Sequence, residues 1–183
     1  MFAITGSIGT GKSTVCEIIK RKDYLVYDCD KIVHDLYMDQ DIINKVKEMF
    51  PSAVINNLIN RKVLGEIVFN NIFEKKKLEN LIHPFVYEEL KKIDGKNVFV
   101  EVPLLFESHM EGLFDKIICV SCNKDLQIKR VMDRNNVDSI TAIKIIKSQM
   151  DLENKEKLSD YVIYNNGDLD KLNKEVKKLL ENI

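Results

Sequence analysis

The chain has 183 residues, of which 45% are hydrophobic and 31% charged, with a net charge of −1. That length gives about one domain with a sizeable core and room for a small inserted lobe. A near-neutral balance excludes a general basic field for nucleic acid. No stretch reaches the roughly 18 apolar residues of a membrane span, and no signal-peptide core is present. The expectation is a cytoplasmic protein without nucleic-acid or membrane partners.

Phe2-Ala3-Ile4-Thr5 is a short apolar run that reads as a buried strand, and Thr14 to Lys20 reads as a helix. Between them, Gly6-Ser7-Ile8-Gly9-Thr10-Gly11-Lys12-Ser13 fits the spacing G-x-x-x-x-G-K-[ST] of a phosphate-binding loop, the P-loop. Glycines let the backbone turn its N–H groups inward, where a Cβ would crowd a bound phosphate. The helix that follows points its positive dipole end at the same phosphate. Gly9, Thr10, Gly11, Lys12, Ser13 and Thr14 are therefore candidate ATP-binding residues. Lys12 is the cation for the β- and γ-phosphates, and the Ser13 hydroxyl is a ligand for Mg²⁺.

Asp23 to Asp28 is a second strand candidate, and Lys31 to Met38 turns helical with Ile32, Val33, Leu36 and Tyr37 on one stripe. Asp28 and Asp30 stand at the carboxyl end of that strand, where open α/β sheets bind ligands. Asp30 reads equally as a helix N-cap. Asp41 to Met49 is another helix, broken at Phe50-Pro51, and the Asn-rich stretch Ser52 to Asn60 reads as a loop. Arg61 to Phe69 is a short helix followed by Asn70-Asn71. From Glu74 to Ile93 one face stays apolar, with a break or kink expected at His83 before Pro84.

Asp94-Gly95-Lys96 reads as a turn, and Asn97 to Val102 as a central strand that contains Glu101. An acid in an apolar run needs a partner. Glu101 is read either as a contact behind Mg²⁺ or Lys12, or as a hydrogen-bonded structural residue. Lys116 to Ser121 is a fourth strand. It leads into Asn123-Lys124-Asp125, one residue short of the guanine-specifying N-K-x-D motif. Helices follow at Leu126 to Asn135 and Ser139 to Met150. Arg130 and Arg134 stand four apart on one face, available to an anion or to surface ion pairs.

Asp160 to Tyr164 is a fifth strand, ended by Asn165-Asn166-Gly167, and Leu169 to Ile183 is an amphipathic helix. The lysine clusters at Lys75 to Lys77 and Lys171 to Lys178 alternate with acids and read as solvated helix faces. On a strand, Cys119 and Cys122 face opposite ways, so their C-x-x-C spacing does not suit a metal, and all four cysteines read as reduced. Strands alternating with helices predict a parallel sheet covered on both faces.

Beyond the P-loop, the chain carries Asp28-Cys29-Asp30, Arg61-Lys62-Val63-Leu64-Gly65 with Phe69, His83-Pro84, and Glu101-Val102-Pro103-Leu104-Leu105-Phe106-Glu107. Gln127 to Arg130 with Arg134, then Gln149, then Ser159 to Ile163 before Asn166-Gly167 complete the series. In this order and spacing the set resembles the dephospho-CoA kinase family almost end to end. Departures are His34 where the family commonly has arginine, Ser7 where it has glycine, and Leu152 and Lys155 where some members carry arginine.

The resemblance implies an α/β, three-layer P-loop NTPase fold with a five-stranded parallel sheet. The core would run over about 1–40, 95–122 and 158–183, with a helical acceptor lobe at about 41–94 and a two-helix lid at about 123–157. It implies phosphoryl transfer from ATP, with Mg²⁺, to the 3′-hydroxyl of dephospho-CoA. Asp30 would take or orient the hydroxyl proton, Lys12, Arg130 and Arg134 would stabilise charge, and Asn166 would join the ATP site. Asp28, Arg61, His83 and Leu104 would meet the acceptor, and Glu101 would stand behind the metal. A monomer or weak homo-oligomer is expected. Two other readings stay open on residues alone: a nucleoside or nucleoside-monophosphate kinase, and a nucleotide-dependent switch without catalysis.

Overall fold

The computed structural model describes residues 1–69, 71–93, 95 and 97–183. It divides into two units, Met1–Asp28 with Gly95–Ile183, and Cys29–Asp94. The first unit begins with β1 (Phe2–Thr5), α1 (Lys12–Lys20) and β2 (Val26–Asp28). The second carries α2 (Cys29–Leu36), α3 (Gln40–Met49), β3 (Val54–Ile55), β4 (Leu58–Ile59), α4 (Arg61–Phe69) and α5 (Ile72–Lys91). The chain returns to the first unit through β5 (Phe99–Glu101), β6 (Lys116–Ser121) and α6 (Lys124–Asn135). It ends with α7 (Ser139–Lys147), α8 (Leu152–Lys157), β7 (Tyr161–Tyr164) and α9 (Leu169–Leu180).

The five-stranded parallel sheet expected from the sequence forms in the first unit, in the order β2-β5-β1-β6-β7. Ile4, Phe99, Ile118, Val120 and Ile163 pack from one face against Val15, Ile18 and Ile19 of α1 and Leu172, Val176 and Leu179 of α9. Each such side chain contributes about 1.5–3 kcal/mol by leaving water. The alternate residues Ala3, Val100 and Cys119 are buried just as fully, so the sheet is covered on both faces. The order turns at β1, and the carboxyl ends of β1, β5 and β6 stand side by side where an α/β sheet opens its crevice.

In the second unit the sequence reading needs three corrections. Of the break or kink expected at Pro84, the break does not occur, since α5 runs on through it. Pro84 and Asn80, whose carbonyl loses its usual partner, are both exposed, so water can take that bond. The stretch read as a loop over Ser52 to Asn60 folds a 3₁₀ turn, Pro51–Ala53, and an antiparallel β3–β4 hairpin. Its turn residues Asn56 and Asn57 both hold positive φ, 50° and 59°, as a type I′ turn requires. α2 starts at Cys29, so Asp30 sits within the first turn rather than at the N-cap.

In the first unit, α8 is a helix the periodicity did not announce. The expected turn at Asp94-Gly95-Lys96 rests on Asp94 and Lys96, which lie outside the described residues, as does Asn70. All four cysteines are buried and none is in a disulfide. Among the described residues no helix is long and apolar enough to cross a membrane.

Candidate active site

The loop between β1 and α1 is shaped by its own protein surroundings. Gly6 has φ +143° and Gly11 has φ +90°, both in the region that favours glycine. A Cβ on Gly6 would stand 2.3 Å from the Val120 carbonyl oxygen, and one on Gly11 would stand 2.2 Å from the Asn165 side-chain nitrogen. The need for glycine therefore arises from β6 and from the end of β7, where the sequence reading had looked to the ligand. Thr10 ties the loop across itself, its hydroxyl donating to the Ser7 carbonyl at 2.9 Å.

Lys12 bends back over this loop, and its ammonium donates to the carbonyls of Gly6 and Ser7, each at 3.1 Å. Burial lowers its pKa below the ordinary 10.5; the charge of Lys155 adds to that, while Glu101 opposes it. The Ser13 hydroxyl donates to Glu101 at 3.5 Å. Glu101 is thus partnered where β5 ends, and burial together with Glu101 pushes the neighbouring Cys16 thiol well above its usual range. The β2–β5 register sets Asp28 beside Glu101, so two carboxylates close adjacent strand ends. A hydroxyl with one or two carboxylates is the hard-oxygen donor set Mg²⁺ takes when nucleotide phosphates and water complete its shell. Among the described residues no cluster of three or more metal-ligating side chains forms a cage of its own.

The Arg130 guanidinium donates at 3.5 Å to the Thr10 carbonyl and at 3.5 Å to the Asn165 side chain. Buried Asn165 donates to the same Thr10 carbonyl at 2.8 Å. Asn166, the neighbour singled out from sequence, instead accepts from the backbone N–H of Asn123 at 2.6 Å. Asn165 is the asparagine that touches the P-loop. Arg134 is exposed, and among the described residues its hydrogen bond goes to the Asn135 side chain, at 3.3 Å. Among the described residues neither arginine pairs with a carboxylate.

Two glutamines reach the crest of the loop, and sequence reasoning gave neither a role. Gln127 of α6, almost fully buried, donates to the Ile8 carbonyl at 2.8 Å. Gln149, between α7 and α8, accepts from the Ile8 backbone N–H at 2.8 Å and from the Ser7 hydroxyl at 3.0 Å. One residue on, the Met150 N–H donates to Glu107 at 2.9 Å, and Glu107 pairs with buried Lys155 at 2.9 Å. Exposed Leu104 lies on the same segment after β5. Asp30, Arg61 and His83 belong to the second unit, on α2, α4 and α5. There, the Arg61 charge works against the burial that raises the Tyr37 pKa.

A family model described as dephospho-CoA kinase matches residues 1–171. A dephospho-CoA kinase from Fusobacterium nucleatum is 39% identical over 189 residues, covering all of this chain and 98% of the relative. Among solved structures, TT1252 from Thermus thermophilus superposes with a TM-score of 0.84 at 32% identity, over 100% of this chain and 96% of that one. A dephospho-CoA kinase from Campylobacter jejuni gives a TM-score of 0.73 at 33% identity, over 99% and 95% of the two chains.

Proposed function

The chain belongs to the dephospho-CoA kinase family, and we propose that it transfers the γ-phosphoryl group of ATP to the ribose 3′-hydroxyl of dephospho-CoA, the step that completes coenzyme A. The observation that carries this reading is Lys12, Ser13 and Glu101 gathered at the carboxyl ends of β1 and β5, in a chain matched almost throughout by that family.

Phosphoryl transfer asks a protein for in-line positioning and for charge placed where charge builds up. The loop amides from Gly9 to Thr14 hold the β- and γ-phosphates. Lys12 exchanges its contacts with the Gly6 and Ser7 carbonyls for the phosphate oxygens and follows their negative charge into the transition state. Ser13, with Glu101 beside it, would hold Mg²⁺, which when bound neutralises the β- and γ-oxygens. Asp30 takes the proton of the 3′-hydroxyl as its oxygen bonds to the γ-phosphorus and the bond to the ADP oxygen breaks. Asp28, Arg61, His83 and Leu104 meet the acceptor.

Arg130 and Arg134 belong to the lid at about 123–157 and neutralise the transferring group, while Asn166 borders the ATP site. The segment at about 41–94 is the acceptor lobe of a single kinase domain. The reaction takes place in the cytoplasm, as the absence of any membrane-spanning helix among the described residues allows.

Product analysis tests this reading. After incubation with MgATP and dephospho-CoA, phosphorus–proton correlation NMR should place the new phosphate on the ribose 3′ oxygen, through its coupling to the 3′ proton. A 2′-phosphate, or no phosphorylated product, would overturn it.

A further inference from the structure

The mechanism above leaves the crest of the P-loop, Ser7-Ile8, without a function. It is nevertheless held by side chains from two distant segments. Gln127 takes the Ile8 carbonyl and Gln149 takes the Ile8 N–H, so both polar groups of that residue are bound by side chains from distant segments. Gln149 uses a single oxygen for two donors, the Ile8 N–H and the buried Ser7 hydroxyl. Its own backbone is anchored one residue later. Glu107 accepts the Met150 N–H with the carboxylate that pairs with Lys155, and Lys155 donates in addition to the Pro103 carbonyl at 3.0 Å.

We infer that Gln149 is a positioning residue for phosphoryl transfer. From the α7–α8 junction, braced by the Glu107–Lys155 pair, it sets the Ser7–Ile8 peptide and thereby the Ser7 carbonyl, one of the two against which Lys12 rests. Lys12 touches the Ser7 carbonyl, and that carbonyl belongs to the peptide whose N–H Gln149 holds. Tilting this peptide moves the lysine's resting place and the loop amides together. A misplacement of about 1 Å at a reacting group costs up to a hundredfold in rate. The inference rests on the phosphoryl-transfer reading proposed above.

Gln149→Met keeps the length of the side chain and removes the acceptor, while Gln149→Glu keeps an acceptor at the same reach. Amide hydrogen exchange at Ile8 should speed up at least tenfold in the Met variant and return toward wild type in the Glu variant. With dephospho-CoA, the Met variant should lose kcat by ten- to a hundredfold, with a melting temperature near wild type and MgATP binding changed only a few-fold. The Glu variant should recover most of kcat, with a raised KM for MgATP from its added negative charge. Wild-type Ile8 exchange in the Met variant, or an unchanged kcat, would overturn the inference. So would a kcat that falls only in step with stability. Wild-type protein that releases no ADP with dephospho-CoA would overturn the proposed activity instead, and Ile8 exchange would still decide whether Gln149 holds the loop.

Discussion

Lys155, with no exposed surface, lies 2.9 Å from Glu107 in the first unit. A buried ion pair is a weak source of net stability, but removing one partner strands the other charge. Lys155→Met should destabilise the protein by about 3–5 kcal/mol. Lys155→Met combined with Glu107→Leu should recover much of that loss, because no buried charge is left unpaired. Urea unfolding of the full chain measures both, and a single variant as stable as wild type would contradict the account of this pair.

Lys12→Ala should lower turnover by roughly two or more orders of magnitude, since its charge meets negative charge that grows in the transition state. Steady-state assays at saturating MgATP on a folded variant measure this.

The pH dependence follows from burial of the same residue. Burial lowers the Lys12 pKa below 10.5, so its charge is lost at lower pH than an ordinary lysine's. The basic limb of kcat/KM for MgATP should therefore fall below pH 10.5 and be absent from the residual activity of Lys12→Arg. Stability takes the opposite sign. The unfolded chain binds the extra proton between the lowered value and 10.5, so the Lys12 contribution to stability of the nucleotide-free protein rises with pH in that window. Titration of wild type against Lys12→Met by thermal unfolding checks that rise.

Asp30→Asn should cost little stability. Asp30 sits in the first turn of α2, where a negative charge is worth about 0.3–1 kcal/mol against the helix dipole. Turnover should fall by about two to four orders of magnitude if its carboxylate takes the hydroxyl proton. Asp28→Asn is the comparison, since Asp28 stands beside Glu101 at the strand ends. Rates near wild type for Asp30→Asn and near zero for Asp28→Asn would transfer the role.

The P-loop was legible because its chemistry is local: spacing, glycines and the flanking strand and helix all lie within Phe2 to Lys20. The sheet was legible because apolar strands alternate with helical stretches. What stayed hidden depends on distant partners. Asn165, which holds the Thr10 carbonyl, was not singled out because its contact lies 155 residues away in sequence. Gln127 and Gln149 carry no local signal, since each acts more than a hundred residues away in sequence. At Pro84 the helix runs on where a break or kink was expected, and at Asn56-Asn57 two residues read as loop are the turn of a hairpin.

The central claim is the acceptor. ADP release should be measured at fixed MgATP with dephospho-CoA, adenosine and AMP in turn, against a blank without acceptor. The account predicts turnover with dephospho-CoA far above the blank, and rates with adenosine and AMP close to it. Equal release with and without acceptor, or a preference for adenosine or AMP, would contradict it.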